Sequence, residues 1–595
     1  MCSTVECSVH ESVNNFNLPT VDSGRVRTAK PGPHVYSPAR LHEEIHLLGN
    51  MIDGGEIIAR MIKREGVEAI FTLSGGHVQN IYEGCLNNDI KIIDTRHEQS
   101  AGHAADAYSR ITFKPGVAVV TAGPGVTDIV TAVANAYQAS SPMVVIGGRS
   151  PLRQYDMGSL QDIELLDVMK PITKWAQTVY ETRRLPYYMA MAFREAMTGR
   201  FGPVFLQVPS DVLFGRVDED TIEWPENYRP TGEVSGDPVL IQEAADMIKN
   251  AERPMIMAGS GVYWHKAHKE LAEFADAADV PVYVNAMARG SMKPDDSNTF
   301  GLSRRPAFAQ ADVIAVIGAP IDFRLKYGQA PAWNPDAKVI QIDIDPLDIG
   351  RNRNVALGIE SNIRQALLGM TAAIGQADHG DWMKTLRELE DNAKGQRDEF
   401  LNSDSMPIHP LRLCKEIAEF VDEDTIVIGD GGDIVAIAAS VLPIENPGQW
   451  MDPGPFGTLG VGTGFCMAAA VAAPDKKILM VNGDGAFGLN GFDFDTFVRF
   501  NMPVVAVIGN DRTWHQIWVG QKAQYGEERT PATLLGDNAR YDKVVEGLGG
   551  HGEFVEHPEE IKAAIERAFA SGKPAVVNVL TDRDPAGVKG GYEFK

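Results

Sequence analysis

Cysteine is scarce in this chain. Among its 595 residues only five are cysteines, Cys2, Cys7, Cys85, Cys414 and Cys466, with no pair at Cys-x-x-Cys spacing. That excludes a disulfide framework and a cysteine-ligated zinc site, and it matches a reducing compartment. Basic residues are also short: 55 Lys and Arg face 80 Asp and Glu, for a formal charge of −25. General nucleic-acid binding and attraction to an anionic membrane are therefore not expected, and a polyanionic substrate would need a local basic patch. No uninterrupted run of about twenty apolar residues occurs, so no spanning helix is expected. Residues 1–50 lack the charged start and apolar core of a secretory signal, and Glu6 and Glu11 count against a transit peptide. The last residues, Gly591–Lys595, are not a peroxisomal address. The expected location is cytoplasmic.

What is present is a repeating alternation of short apolar runs and helical patterns. Residues 1–50 read as an N-terminal extension. From Met51 the chain alternates an amphipathic helix (Gly55–Ile62) with buried strands such as Ala69–Leu73, Val117–Thr121, Met143–Gly147 and Phe205–Val208, closing near Asp218. A second unit, 238–375, has strands Pro254–Ala258, Val280–Val284, Val313–Gly318 and Lys338–Asp343. A charged helical linker spans 376–406, a third unit 407–582, and a tail 583–595. Apolar strands separated by helices predict an α/β protein with three doubly wound parallel-sheet domains.

The chemistry concentrates in two places. Ile478–Val481 leads into Gly483-Asp484-Gly485, and Val504–Ile508 leads into Asn510-Asp511-Arg512-Thr513. Two acids at neighbouring strand ends can hold Mg²⁺ with open positions for a diphosphate, and the small Gly485 and Ala486 leave backbone N–H groups free for phosphate oxygens. The second place is Asp94-Thr95-Arg96-His97-Glu98, which follows an apolar run and opens an Ala-rich helix. A Glu held in an apolar pocket has its pKa raised, which suits a proton it must share.

The Gly-Asp-Gly…Asn-Asp spacing resembles the thiamine-diphosphate signature, whose usual ending is Asn-Asn. Carried over, the metal ligands are Asp484, Asp511 and the main chain of Thr513, and the aspartate at 511 makes the site more anionic. The run around Glu98 resembles that family's catalytic-glutamate motif, in which the carboxylate meets the pyrimidine ring. Asp452–Gly462 looks like its pyrimidine-binding loop, with the Gly457 carbonyl on the exocyclic amine and Leu459 wedged between the cofactor rings. His515 joins the cofactor-binding set. Together the three units resemble the acetolactate-synthase-like branch, which implies a homodimer or homotetramer with active sites at the subunit interface. The branch often holds ADP, FAD or another nucleotide in its central domain, and Asp343 and Asp345 fall where a ribose contact would be.

Within that branch, Ser74-Gly75-Gly76-His77, the run Ala118–Gly125 and Pro171–Ala176 resemble benzaldehyde lyase and bacterial 2-hydroxyacyl-CoA lyases. The resemblance places His77 and Gln161 beside the substrate. It implies a thiamine-diphosphate-dependent lyase or ligase splitting a 2-hydroxyacyl-CoA into formyl-CoA and an aldehyde or ketone, with the acyloin condensation as its reverse. Arg304, Arg305, Arg324, Lys326, Lys589 and Lys595 are the candidate contacts for a CoA thioester. Acetolactate synthesis, a CoA-free carboligase and a non-catalytic cofactor-binding subunit remain the alternatives.

Overall fold

Strands rich in Val, Ile and Ala, with helices between them, bury both faces only in parallel sheets. The computed structural model describes residues 50–537 and 539–587, and it contains three such sheets. The expected extension up to residue 49 and the tail lysines Lys589 and Lys595 lie outside the described residues.

The first sheet is made of β1 (Ala69–Thr72), β2 (Lys91–Asp94), β3 (Gly116–Val120), β4 (Met143–Arg149), β5 (Trp175–Thr178) and β6 (Val204–Pro209). All pair parallel, in the order β2-β1-β3-β4-β6-β5. A short antiparallel ribbon, Met51–Asp53 against Arg216–Asp218, joins the two ends of this unit.

The second sheet holds β7 (Pro254–Ala258), β8 (Val282–Val284), β9 (Val313–Ile317), β10 (Lys338–Asp343) and β11 (Leu357–Glu360) in the order β8-β7-β9-β10-β11. The expected strand from Val280 starts two residues late, because Pro281 has no N–H for the ladder. Gly318, expected in β9, instead turns at φ +62°.

The third sheet repeats the first. It contains β12 (Thr425–Asp430), β13 (Trp450–Met451), β14 (Lys477–Gly483), β15 (Val504–Asn510), β16 (His551–Val555) and β17 (Ala575–Leu580). Their order is β13-β12-β14-β15-β17-β16. The charged linker forms a helix over Gly380–Leu401.

Outer units share one apolar core. Helix α1 (Glu98–Thr112) and helix α2 (Gly462–Ala472) are buried along most of their length. His103 of α1 meets the Phe465 ring edge-on at 6.2 Å, and the Arg110 guanidinium lies 4.7 Å from the centre of the same ring. This packing sets the Glu98 end of the first unit against the third.

Candidate active site

In each outer sheet the first strand has its neighbours on opposite sides, so the chain reverses direction across the sheet there. Crevices form at the carboxyl ends of strands beside such a switch point. In the first unit, Leu73–His77 follow β1, Glu98 opens α1 after β2, and Thr121 and Pro124 follow β3. With Leu160, Gln161, Ser210 and Phe214 they line an open cleft of about 570 Å³. Glu98, His77 and Gln161 therefore face one space.

Glu98 is 7% exposed, and its carboxylate accepts no hydrogen bond from another described residue. Burial pushes its pKa up, and the charge of Asp128 adds to the effect against the pull of its own amide. His97 caps the helix: its Nδ1 accepts the Gln99 N–H at 3.0 Å. His77 shares a 3.1 Å hydrogen bond between Nδ1 and Thr121 Oγ1, and burial holds its pKa below the ordinary 6.5. Gly148 at the end of β4 makes room for it, since a Cβ there would lie 2.7 Å from His77 Cβ.

The second cleft, of about 210 Å³, opens above β12, β14 and β15. Gly483 pairs in register with Gly509, so Asp484 and Asp511 emerge from adjacent strands at nearly the same level. Asp484 begins helix α3 (Asp484–Asn490), and His515 begins helix α4 (His515–Tyr525). Gly457, Leu459, Asp484, Gly485, Ala486, Asp511, Thr513 and His515 all line this cleft. Gly485 is needed for close approach: a Cβ would sit 2.5 Å from the Trp514 ring that forms one wall.

The cleft is organised around carboxylates. Asp484 Oδ2 accepts the Arg512 N–H at 2.7 Å, and Asp511 Oδ1 accepts the Thr513 N–H at 2.9 Å and its hydroxyl at 2.7 Å. Burial, then the charge of Asp511, pushes Asp484 up to about 7, and burial raises Asp511 as well. Buried acids that resist ionisation together are suited to a cation that would share their charge. Among the described residues no three His, Cys, Asp or Glu side chains cluster as metal ligands. A divalent ion here would rest on these two carboxylates, the Thr513 carbonyl and oxygens of a bound diphosphate. These residues fit such a group.

Three comparisons of domain sequence coincide with this layout. Residues 52–169 match the model of the thiamine pyrophosphate enzyme N-terminal TPP binding domain, 241–370 that of the central domain, and 430–579 that of the C-terminal TPP binding domain. This chain belongs to the thiamine pyrophosphate enzymes. It is 39% identical to the acetolactate synthase large subunit IlvG of Mycobacterium tuberculosis over 534 residues, 89% of this chain and 95% of the relative. It is 32% identical to 2-hydroxyacyl-CoA lyase 2 of Homo sapiens over 577 residues, 89% of this chain and 90% of the relative. The enzyme of that name from Caenorhabditis elegans is likewise 32% identical, over 579 residues, 89% of both chains.

For a thiamine pyrophosphate enzyme, two outcomes were not visible in the motifs. The Glu98 cleft and the diphosphate cleft share no lining residue within one chain. The cations proposed for CoA are also scattered. Arg324 is bonded to Asp322 at 2.6 Å on the wall of the central crevice, Arg304 is tucked beside Tyr283 and Arg289, and Arg305 and Lys326 are exposed. None of the four lines either cleft.

The central crevice lies at the carboxyl ends of β7 and β9 and includes Gly261, Gly318 and Asp343. Burial pushes Asp343 up to about 6. Arg200 closes the crevice by bonding Asp345 at 3.3 Å and Asp348 at 2.9 Å, which leaves about 80 Å³. A second cavity of about 500 Å³, which also touches Arg200 and Asp348, adjoins the crevice.

Several site residues carried no motif. Asp433 binds His515 Nδ1 and accepts Gln516 Nε2 at 3.0 Å, and the net result is a raised His515 pKa: burial opposes the charge, but Asp433 and Asp511 outweigh it. Asp430, fully buried, accepts the Gly460 N–H at 3.0 Å and the Gly462 N–H at 2.8 Å, anchoring the loop that carries Leu459. Asp493 of the third unit accepts the Arg96 N–H. The run Gly431-Gly432-Asp433 after an apolar strand was the one usable signal among these.

Proposed function

We propose that this protein is a carbon–carbon lyase acting on 2-hydroxyacyl-CoA, with formyl-CoA and an aldehyde or ketone as products and the condensation as its reverse. The observation that carries this reading is the His77 imidazole in the same cleft as the buried Glu98, where burial favours its neutral form. Thiamine diphosphate, when bound, supplies a carbon nucleophile and an electron sink. Asp484, Asp511 and the Thr513 carbonyl would hold its diphosphate through Mg²⁺, with Leu459 and Gly457 meeting its ring end. Burial raises the Glu98 carboxyl's pKa, which suits a proton shared with the pyrimidine ring.

In the tautomer that donates Nδ1–H to Thr121 Oγ1, His77 presents Nε2 as a base. It takes the proton of the substrate's 2-hydroxyl, C2 becomes a carbonyl as the C1–C2 bond breaks, and a proton returns to C1. Gln161, which lines the same cleft, would hold the substrate's oxygen. No Lys or Arg lines either cleft among the described residues, while Leu73, Leu160 and Phe214 do line the Glu98 cleft. That lining suits an apolar acyl or carbonyl group at the reacting end; the CoA phosphates, like a 2-oxo acid's carboxylate, would have to meet cations outside both clefts.

Separate clefts in one chain support pairing of two copies, each lending one cleft to a shared site. Exposed apolar side chains beside the diphosphate cleft, Phe492 at 69% and Leu489 at 52%, supply surface for that contact. Acetolactate synthesis is the second reading, favoured by the 39% identity to the mycobacterial synthase. A His77→Ala variant tests the first reading: thiamine diphosphate uptake is retained and 2-hydroxyacyl-CoA cleavage drops by about 10²-fold or more. Unchanged cleavage would remove His77 from the reaction.

A further inference from the structure

Arg149 is the last residue of β4 and is 7% exposed. Its guanidinium is engaged at each nitrogen and on one face. Nε donates to Asp162 Oδ1 at 3.3 Å, Nη2 to Glu164 Oε2 at 3.5 Å, and Nη1 to Gln207 Oε1 at 3.2 Å. Its carbon centre lies 4.8 Å from the middle of the Tyr155 ring. Gln207 is fully buried and is fixed in turn by the Thr178 hydroxyl at 2.8 Å. The guanidinium is thus a rigid fork seated on the sheet, with two acids of the following loop in its grip.

Both acids follow Gln161 directly in the chain, as Asp162 and Glu164. Gln161 has φ +60°, a left-handed backbone that residues with a side chain keep only when their surroundings hold them there. The neighbouring Leu160 carbonyl is held by the Ser150 hydroxyl at 2.9 Å. Loop residues beyond these ties are open to solvent: Met157 is 73% exposed and Leu160 76%. The loop's hold on the cleft therefore passes through Arg149 and Ser150, on the strand end that also lies against His77, while its start is tied by the Leu152 N–H to Asp211 at 3.1 Å.

We propose that Arg149 is a positioning residue: by binding Asp162 and Glu164 together it keeps Gln161 turned into the cleft shared with Glu98 and His77. What Gln161 then touches rests on the lyase reading above. The placement of the loop does not. Without the guanidinium, Asp162 and Glu164 would each lose their ion pair, and the left-handed turn at Gln161, just ahead of them, would relax outward.

The test uses full-length, cofactor-loaded protein carrying Arg149→Met or Arg149→Lys. Hydrogen exchange of the 152–164 segment is expected to accelerate by about tenfold or more in Arg149→Met and less in Arg149→Lys, while thiamine diphosphate affinity stays at the wild-type value. The kcat/KM for 2-hydroxyacyl-CoA is expected to fall as far as in Gln161→Ala, with no additional fall in the double variant. Unchanged exchange, or a double variant whose losses multiply, would overturn the proposal. If wild-type protein fails to cleave the substrate, the lyase reading falls, and the exchange measurement alone still decides the role of Arg149. Should Arg149→Met not fold, Arg149→Lys with wild-type exchange would equally overturn it.

Discussion

The carboxylate of Asp493, in the third α/β unit, accepts the backbone N–H of Arg96 at 2.8 Å, two residues ahead of Glu98. Its other oxygen accepts the Ser100 hydroxyl, and Thr496 Oγ1 donates to the first at 3.0 Å. One unit therefore caps the helix on which the other carries its buried glutamate. Asp493 is 1% exposed, so an Asp493→Ala exchange leaves buried donors without an acceptor at a cost of about 1–3 kcal/mol. Denaturant unfolding should show that loss, and catalytic rate should fall in the remaining folded protein. Full rate at wild-type stability would mean that the contact does not position Glu98.

Glu98→Gln keeps the shape of the side chain and removes its proton exchange. Cofactor uptake should persist while turnover drops by about 10²–10⁴-fold. On the acid side the wild-type rate should fall as His77 gains a proton, at a pH below its ordinary 6.5, because burial favours the neutral ring. In His77→Gln that part of the acid limb should disappear. A pH–rate profile of wild type and both variants checks this.

Asp511→Asn restores the residue usual at this position in thiamine-diphosphate signatures. It takes one negative charge out of a buried pair, while Asn Oδ1 can still accept from Thr513. Magnesium affinity measured by titration should weaken by about tenfold, since ligand charge sets affinity for hard cations. Unfolding of the cofactor-free protein should shift to higher temperature. Arg583, whose Nε reaches the Asp511 carbonyl at 3.3 Å, is the nearby cation that offsets the extra charge in the wild type. Tighter magnesium binding in Asp511→Asn would contradict this.

Asp430 gives a pH dependence of stability. Burial raises its folded pKa to about 6 from the ordinary 3.8, although its amide partners pull it down. A carboxyl whose folded pKa is raised contributes stability below its unfolded pKa, and that contribution is lost as pH rises through the folded value. Between pH 4 and 7 the wild type should therefore lose up to about 3 kcal/mol relative to Asp430→Asn, at about 1.36 kcal/mol per unit. Parallel unfolding titrations of the two proteins measure the difference in slope. A flat difference across that range would show that Asp430 ionises as it would in water.

The sheets were legible because parallel strands buried on both faces read as continuous apolar runs. The two-residue β13 was not, since Trp450-Met451 is too short to show a period. Nor was β5, where Gln177 alternates with buried Ala176 and Thr178, and β11, β12 and β16 were not anticipated either. Motif residues line two clefts because strand ends at a switch point are brought together by topology. The supporting residues were hidden for the opposite reason. Asp493 meets Arg96 across 397 positions, and Arg149 meets Gln207 across 58. Such pairs depend on how units pack, which local sequence does not encode. Arg304 shows the same limit: its charge was visible, but not its burial beside Arg289.

The central claim is tested most directly by supplying the magnesium- and thiamine-diphosphate-loaded protein with 2-hydroxyacyl-CoA in one reaction and pyruvate in another, and measuring formyl-CoA with its carbonyl partner against acetolactate. The account predicts saturable cleavage of the 2-hydroxyacyl-CoA and little or no acetolactate. Saturation by pyruvate with acetolactate as product, and no formyl-CoA from the thioester, would contradict it.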